Sequence, residues 1–256
     1  MNVRMVQVKL NRNWFQLKWI SVAISLLFLL GGCAYPKEMR KENQINPAEF
    51  ITVVQQAVDQ FHEKTSVLPI KNSEMTTPLF EKYVIDFNKL KKTNLLSSVP
   101  ANAFESGGIF MYVLVDVETK PQVKLMDLSA YQSVEDVQKK VDEYKVKHAG
   151  QLPDGIAIND VFEYVDFDKL GMKLPEVKSD FNRQNFITYM LNKNSGKVAI
   201  DYGMDIMKVI QSGSLEASLK PDQDLRELLI AKSYFVPIRS YTYFWQNNQP
   251  IPQNKD

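Results

Sequence analysis

A chain of 256 residues with 45% apolar composition is long enough to bury a substantial core. Its 31 basic and 30 acidic side chains are nearly balanced, which excludes a nucleic-acid binder built on a basic face. A single cysteine excludes a disulfide framework and any Cys-based zinc site.

The chain opens with Arg4, Lys9, Arg12 and Lys18, and no acidic residue precedes Cys33. An apolar run of twelve residues, Trp19 to Leu30, follows. A positive segment leading into such a run is the pattern of a secretory signal. The run ends in Leu30-Gly31-Gly32-Cys33, which resembles the lipobox of bacterial lipoproteins. That resemblance implies a signal peptide over residues 1–32, cut before Cys33, a diacylglycerol thioether on the Cys33 sulfur, and a mature chain anchored on the extracytoplasmic side of the cell membrane. An uncleaved helix is the other reading of the run, but twelve apolar residues fall short of the roughly 20 needed to span a bilayer.

Removing residues 1–32 leaves 27 basic against 30 acidic residues, a net charge of about −3. Such a body has no basic surface for anionic lipid, so the membrane partnership rests on the acyl chains, each worth ~0.8 kcal/mol per buried CH2. Residues 33–46 are the lipidated cysteine and a polar tether spanning only about 20 Å on average as a flexible coil.

Asn46-Pro47-Ala48-Glu49 reads as a helix start, with a capping side chain, a proline at the first position and an acid in the first turn. Phe50, Val53, Val54, Ala57, Val58 and Phe61 give the helix a buried stripe. Val67-Leu68-Pro69-Ile70 follows, then a strand over Tyr83 to Phe87. Residues 108–117, GIFMYVLVDV, are apolar on both alternating faces, as in a strand covered on each side. Residues 122–128 return as the second arm of a hairpin.

The pattern then recurs. Ser133 is expected to cap a second helix, Gln151-Leu152-Pro153-Asp154 echoes the first Leu-Pro junction, and DVFEYVDFDKL at 160–170 echoes PLFEKYVIDFNKL at 78–90. NFITYML at 185–191 and KVAIDY at 197–202 match the earlier hairpin. A third helix near Pro221 leads to Phe235-Val236-Pro237-Ile238, and Pro69, Pro153 and Pro237 stand 84 and 84 residues apart. The spacing predicts an α+β protein of tandem duplicated helix-strand-strand-strand units with mainly antiparallel sheets. The units are 47–130, 131–216 and a partial third, 217–245, followed by a disordered tail over 246–256.

Asp166, Asp168 and Gly171 superficially suggest a calcium loop, but Leu170 and Val177 stand where oxygen ligands are required, so the segment reads as an edge strand with outward acids. His62 and His148 are the only histidines, and two distant imidazoles do not make a metal site. No GxSxG or SxxK nucleophile pattern occurs, so no catalytic residue, metal or cofactor is expected. Tyr241, Tyr243 and Trp245 alternate on one side of a strand, as a candidate contact surface or as closure of a core.

The lipobox, polar tether and lysine-rich α+β body resemble lipoproteins of Bacillus-type bacteria, the YphF-like group among them. The helix and three strands with the Ser195-Gly196-Lys197-Val198 return are similar to PepSY-type extracytoplasmic modules over residues 133–203. Together these readings predict a non-enzymatic, lipid-anchored interaction module that contacts another envelope protein. The alternative is a ligand-binding lipoprotein of the solute-binding type, with the two repeats as lobes around a cleft.

Overall fold

The computed structural model describes residues 46–254, so Leu30, Gly31, Gly32, Cys33 and nearly all of the tether lie outside the described residues. Helix α1, Pro47–Thr65, starts where expected, with Asn46 Oδ1 accepting from the Ala48 N–H at 3.0 Å. Its buried stripe is Ile51, Val54, Ala57, Val58 and Phe61, whereas Val53 is 54% exposed. The stripe is rotated from the expected one: Ile51, about one turn before Val54 and two before Ala57, faces inward, and Val53 faces outward. Burying side chains of this size contributes ~1.5–3 kcal/mol each.

The strand expected over Tyr83 to Phe87 shrinks to isolated bridges, Ile70 to Ile85 and Val84 to Val113. Two short helices flank it, α2 (Leu79–Lys82) and α3 (Phe87–Lys92), the latter capped by Asp86. Strands β1 (Phe110–Val115) and β2 (Gln122–Asp127) then form an antiparallel hairpin in register from Phe110↔Asp127 to Val115↔Gln122.

Helix α4, Leu128–Lys147, begins five residues before Ser133 and is capped by Asp127, whose carboxylate accepts from the Ser129 N–H at 2.7 Å. Ser133 is buried inside the helix, donating to the Ala130 carbonyl and accepting from the Tyr189 hydroxyl. Strands β3 (Asp154–Ala157), β4 (Phe162–Val165), β5 (Thr188–Asn192) and β6 (Val198–Asp201) form an antiparallel sheet in that order. Between β4 and β5 lies the short helix α5, Phe167–Leu170, capped by Asp166 through the Lys169 N–H. Asp166 is therefore a helix cap and not an outward acid on an edge strand.

Helix α6, Gly203–Gly213, follows β6 directly and was not expected from the sequence. The helix expected near Pro221 begins later, as α7, Arg226–Lys232. The tail expected to be disordered is instead paired: β7 (Thr242–Gln246) and β8 (Gln249–Gln253) form an antiparallel hairpin. Pro250 and Pro252 are tolerated because β8 is the edge of a two-stranded unit.

The architecture is α+β with mainly antiparallel pairing, and it holds two hydrophobic cores. One gathers Val54, Val58, Phe61, Tyr112, Leu114 and Leu125 under α1. The other gathers Val134, Val141, Phe162, Tyr189, Ile200 and Ile206 between α4, the four-stranded sheet and α6. The β1–β2 hairpin belongs to both, since Val113, Val115 and Met126 face the second core, so the expectation of a strand covered on both sides holds.

The same braces occur in both halves. Gln55 of α1 accepts from the Val123 N–H at 2.7 Å and donates to the Pro121 carbonyl and to Asp59. Gln138 of α4 accepts from the Val198 N–H at 2.7 Å and donates to the Gly196 carbonyl and to Asp142. The Asp86 N–H reaches the Pro69 carbonyl, and the Asp166 N–H reaches the Pro153 carbonyl. Lys89 and Lys169 donate to the carbonyls of Ile70 and Asp154.

Candidate functional site

An open groove of about 560 Å³ lies between α6, β8, the end of β3 and the segment before β5. Asp201, at the end of β6, sits on its floor with both carboxylate oxygens occupied. Oδ1 accepts from the Tyr243 hydroxyl at 2.6 Å and the Gly203 N–H at 2.8 Å, and Oδ2 accepts from the Tyr164 hydroxyl at 2.9 Å. Burial and the adjoining carboxylate push the Tyr164 hydroxyl above the usual phenol range. Three donors fill three of the roughly four acceptor sites of the Asp201 carboxylate and fix its orientation, so this cluster stiffens the floor.

The rim has a different chemistry. Met204, which is 64% exposed, stands with Met207, Ile158 and Ile251 beside the carboxamides of Asn182, Asn185, Gln211 and Gln249. Lys208 Nζ donates to Asn182 Oδ1 at 2.9 Å. Flexible methionines next to paired donor and acceptor amides suit the recognition of a polypeptide or another neutral polar ligand. The groove continues into β3, the outer strand of its sheet, whose four residues are all exposed and whose Ile156 is 78% exposed. An outer strand offers unpaired backbone groups to a partner.

Close to this groove, carboxyl groups from three elements converge: Asp127 at the end of β2, Asp180 before β5, and Asp205 in α6. Burial raises the affinity of Asp180 for a proton well above the usual carboxylate range, reinforced by the negative charge of Asp127. Burial also raises Asp127 and Asp205. Asp205 Oδ2 accepts from the Ser179 hydroxyl at 2.8 Å. Oδ1 of Asp205 has no partner, and Oδ1 of Asp180 has only the Arg183 guanidinium at 3.1 Å, off the line of a good hydrogen bond.

The aromatic strip is a correction to the contact-surface reading. Tyr243 is 0% exposed with its hydroxyl on Asp201, and Tyr241 is buried with its ring 4.6 Å from that of Phe162. Trp245 is half-buried and paired with Pro250. The strip closes a core because β8 covers one edge of it. His148 is exposed, its ring stacked on Tyr144 and its Nδ1 on the Tyr144 carbonyl, and His62 is exposed at the end of α1. Among the described residues no group of three His, Cys, Asp or Glu side chains is placed to hold a metal ion, and no helix is long and apolar enough to cross a membrane.

The span from α1 to the end of β2 has one further distinguishing property. Residues 47–127 match the YphF family N-terminal domain. The matched span ends at Asp127, the residue that caps α4, and the groove is lined by residues that follow it. No curated protein and no solved structure matches the chain. Sequence reasoning missed the carboxyl cluster because its members are far apart in the chain. The one local signal was Ser179-Asp180-Phe181, an acid set directly against an aromatic.

Proposed function

We propose that this protein is a lipid-anchored module of the extracytoplasmic membrane surface that binds another envelope protein through the groove and the adjoining β3 edge. The acyl chains on Cys33 hold it, residues 34–46 keep it near the bilayer, and the folded body presents the contact. The observation that carries this reading is the rim itself, where exposed Met204 and Ile156 stand beside four carboxamides and an unpaired strand edge. Interfaces favour methionine over charge at their centres. The repeated Gln55 and Gln138 braces further support descent of the two halves from one duplicated unit.

Photo-crosslinking in cells from position 204 or 156 should trap one discrete protein, with the signal lost in Cys33→Ala because the module leaves the membrane. Crosslinking equally strong from an exposed site on the opposite half, such as Val53, would remove the groove from the proposal. A second reading, a small-ligand receptor, draws on the groove volume, which falls in the range of roughly 300–1,000 Å³ of small-molecule sites. A thermal-shift screen with sugars, amino acids and peptides separates the two: a shift from a sugar or amino acid favours the receptor.

A further inference from the structure

The floor of the groove carries a charge that its lining does not cancel. Asp201 is reached by the Tyr243 hydroxyl and the Gly203 N–H on Oδ1 and by the Tyr164 hydroxyl on Oδ2, and all three donors are neutral groups. Among the described residues no lysine, arginine or histidine forms an ion pair with it. The N-terminus of α6, which supplies the Gly203 N–H, brings roughly half a positive charge, too little to neutralise a carboxylate. Lys208 is the only cation in the lining, and it is exposed with its Nζ on Asn182 Oδ1. Oδ1 of Asp201 is tied inward, since Tyr243 is 0% exposed, whereas Tyr164, the partner of Oδ2, itself lines the groove. A carboxylate oxygen accepts about two hydrogen bonds, so Oδ1 is filled and Oδ2 keeps an open site on the groove side.

The β8 wall is a strand edge stripped of donors. Asn247 and Asn248 both have positive φ, the geometry of a two-residue hairpin turn, so Gln246↔Gln249 and Phe244↔Ile251 are the bonded pairs of the hairpin. Pro250 and Pro252 fall at the pairs between them, where the backbone groups point away from β7, and proline has no N–H to offer there. Their carbonyls remain. That of Pro252 accepts from Asn159 Nδ2 at 3.0 Å, and Pro250 lines the groove. Such an edge cannot extend the ladder with a further strand, but it accepts from a side-chain donor.

We propose that the groove seats a lysine side chain of the partner polypeptide, with its ammonium on Asp201 Oδ2 and its methylene stem along Met204 and Met207. This rests on the reading of the groove as a polypeptide contact. A neutral segment laid over the groove would strip water from the Asp201 carboxylate and put nothing in its place, a cost that an incoming cation removes.

Lysine fits better than arginine. The planar guanidinium gains most from two free carboxylate oxygens, and Oδ1 is already occupied. The ammonium is a compact charge with three donors, matched to the open site on Oδ2, the Pro250 carbonyl and a carboxamide oxygen of the rim. Its four-carbon stem is apolar, and Met204 and Met207 lie one turn apart on the face of α6 that lines the groove. The charge thus sits at the floor, beneath the neutral rim.

The test measures the binding of blocked peptide mixtures, acetylated and amidated at their ends, to the full-length chain in detergent. Each mixture fixes one central residue as lysine, arginine, glutamate or norleucine, the last a neutral side chain with a similar stem. The lysine set should bind about tenfold or more tightly than the norleucine set, and Asp201→Asn, which keeps an oxygen for Tyr243, should remove that advantage. Equal binding of the two sets, tighter binding of arginine or glutamate, a lysine advantage that persists in Asp201→Asn, or no binding by any set overturns the inference. Should the variant fold poorly, carbon-13 methyl spectra of Met204 and Met207 in the native chain decide. Displacement by the lysine set and not by the norleucine set upholds the lysine seat, and any other pattern overturns it. Free lysine binding as tightly as the lysine peptides would make this a site for a small amine and overturn the polypeptide source. The groove reading is judged separately by crosslinking from position 204. A trapped protein without a lysine preference among the peptides overturns the lysine seat alone, and a lysine preference without any crosslink overturns the envelope-protein reading alone.

Discussion

The first half, residues 47–127, and the second, residues 128–213, brace a helix to a hairpin through the same glutamine but complete their sheets differently. In the first, the segments around Ile70 and Val84 reach only single bridges, because α2 and α3 occupy the chain beside them. In the second, the corresponding segments become β3 and β4 of a four-stranded sheet. The β1–β2 hairpin is packed on both faces and carries two cores, whereas the second sheet reaches the surface at β3. Similar local signals thus yield a closed support in one half and an open edge in the other, and the groove is found where the edge is open.

The largest test of this division is whether the halves fold together. Leu114→Ala in the first core and Met190→Ala in the second should each cost about 2–5 kcal/mol, because both side chains are fully buried. Each loss should appear in one cooperative urea transition followed by far-ultraviolet circular dichroism. Two resolved transitions would break the picture of a hairpin shared by both cores.

Next in size is the brace. Gln55→Ala and Gln138→Ala each strand a backbone N–H, on Val123 and Val198, that now has a 2.7 Å partner. Each should lower stability by about 1–3 kcal/mol. Losses that differ severalfold between the two would mean that the braces are alike in geometry but not in importance.

The pH response belongs to the second half and its junction. Burial raises the folded-state proton affinity of Asp127, Asp180 and Asp205, so the folded chain holds more protons than the unfolded one above the ordinary carboxylate range. Stability should therefore fall as pH rises through that window and level off above it. Urea midpoints taken at stepped pH should show a shallower slope in Asp180→Asn. The smallest effect expected is at the paired lysines. Lys89→Met removes an exposed bond to the Ile70 carbonyl, and Lys169→Met removes one to the Asp154 carbonyl together with an exposed ion pair to the Asp154 carboxylate; water replaces these, and neither change should shift the urea midpoint resolvably.

The legible parts of the chain were those whose cause is local. Asn46 caps α1 through its own side chain, and the doubly apolar GIFMYVLVDV stretch announces burial on two faces. The start of α4 was misplaced because Leu128 read as the end of the returning strand and Ser133 as the cap, and only Asp127 reaching the Ser129 N–H sets the boundary. Helix α6 was missed because it follows β6 without a turn and opens with a glycine. The β8 strand was hidden by its two prolines, which are acceptable only once Tyr243 and Trp245 supply a partner strand. Neither the groove nor the carboxyl cluster was legible, since each is assembled from residues that only the folded topology brings together.

Lys124 adds a constraint on timing. Its buried ammonium donates at 2.7 Å to the carbonyls of Ile230 and Ser233, 106 and 109 residues onward, at the end of α7. Beside it, Leu125 pairs in parallel with Phe235, and farther along the same returning segment Arg239 accepts from the Ile200 N–H. The returning segment therefore stitches β2 and β6 together. Until that segment docks, Lys124 has no carbonyls to meet and the β2 edge is unpaired there. Contacts at such separation close slowly. The two halves are therefore locked together only when this returning segment has docked against both.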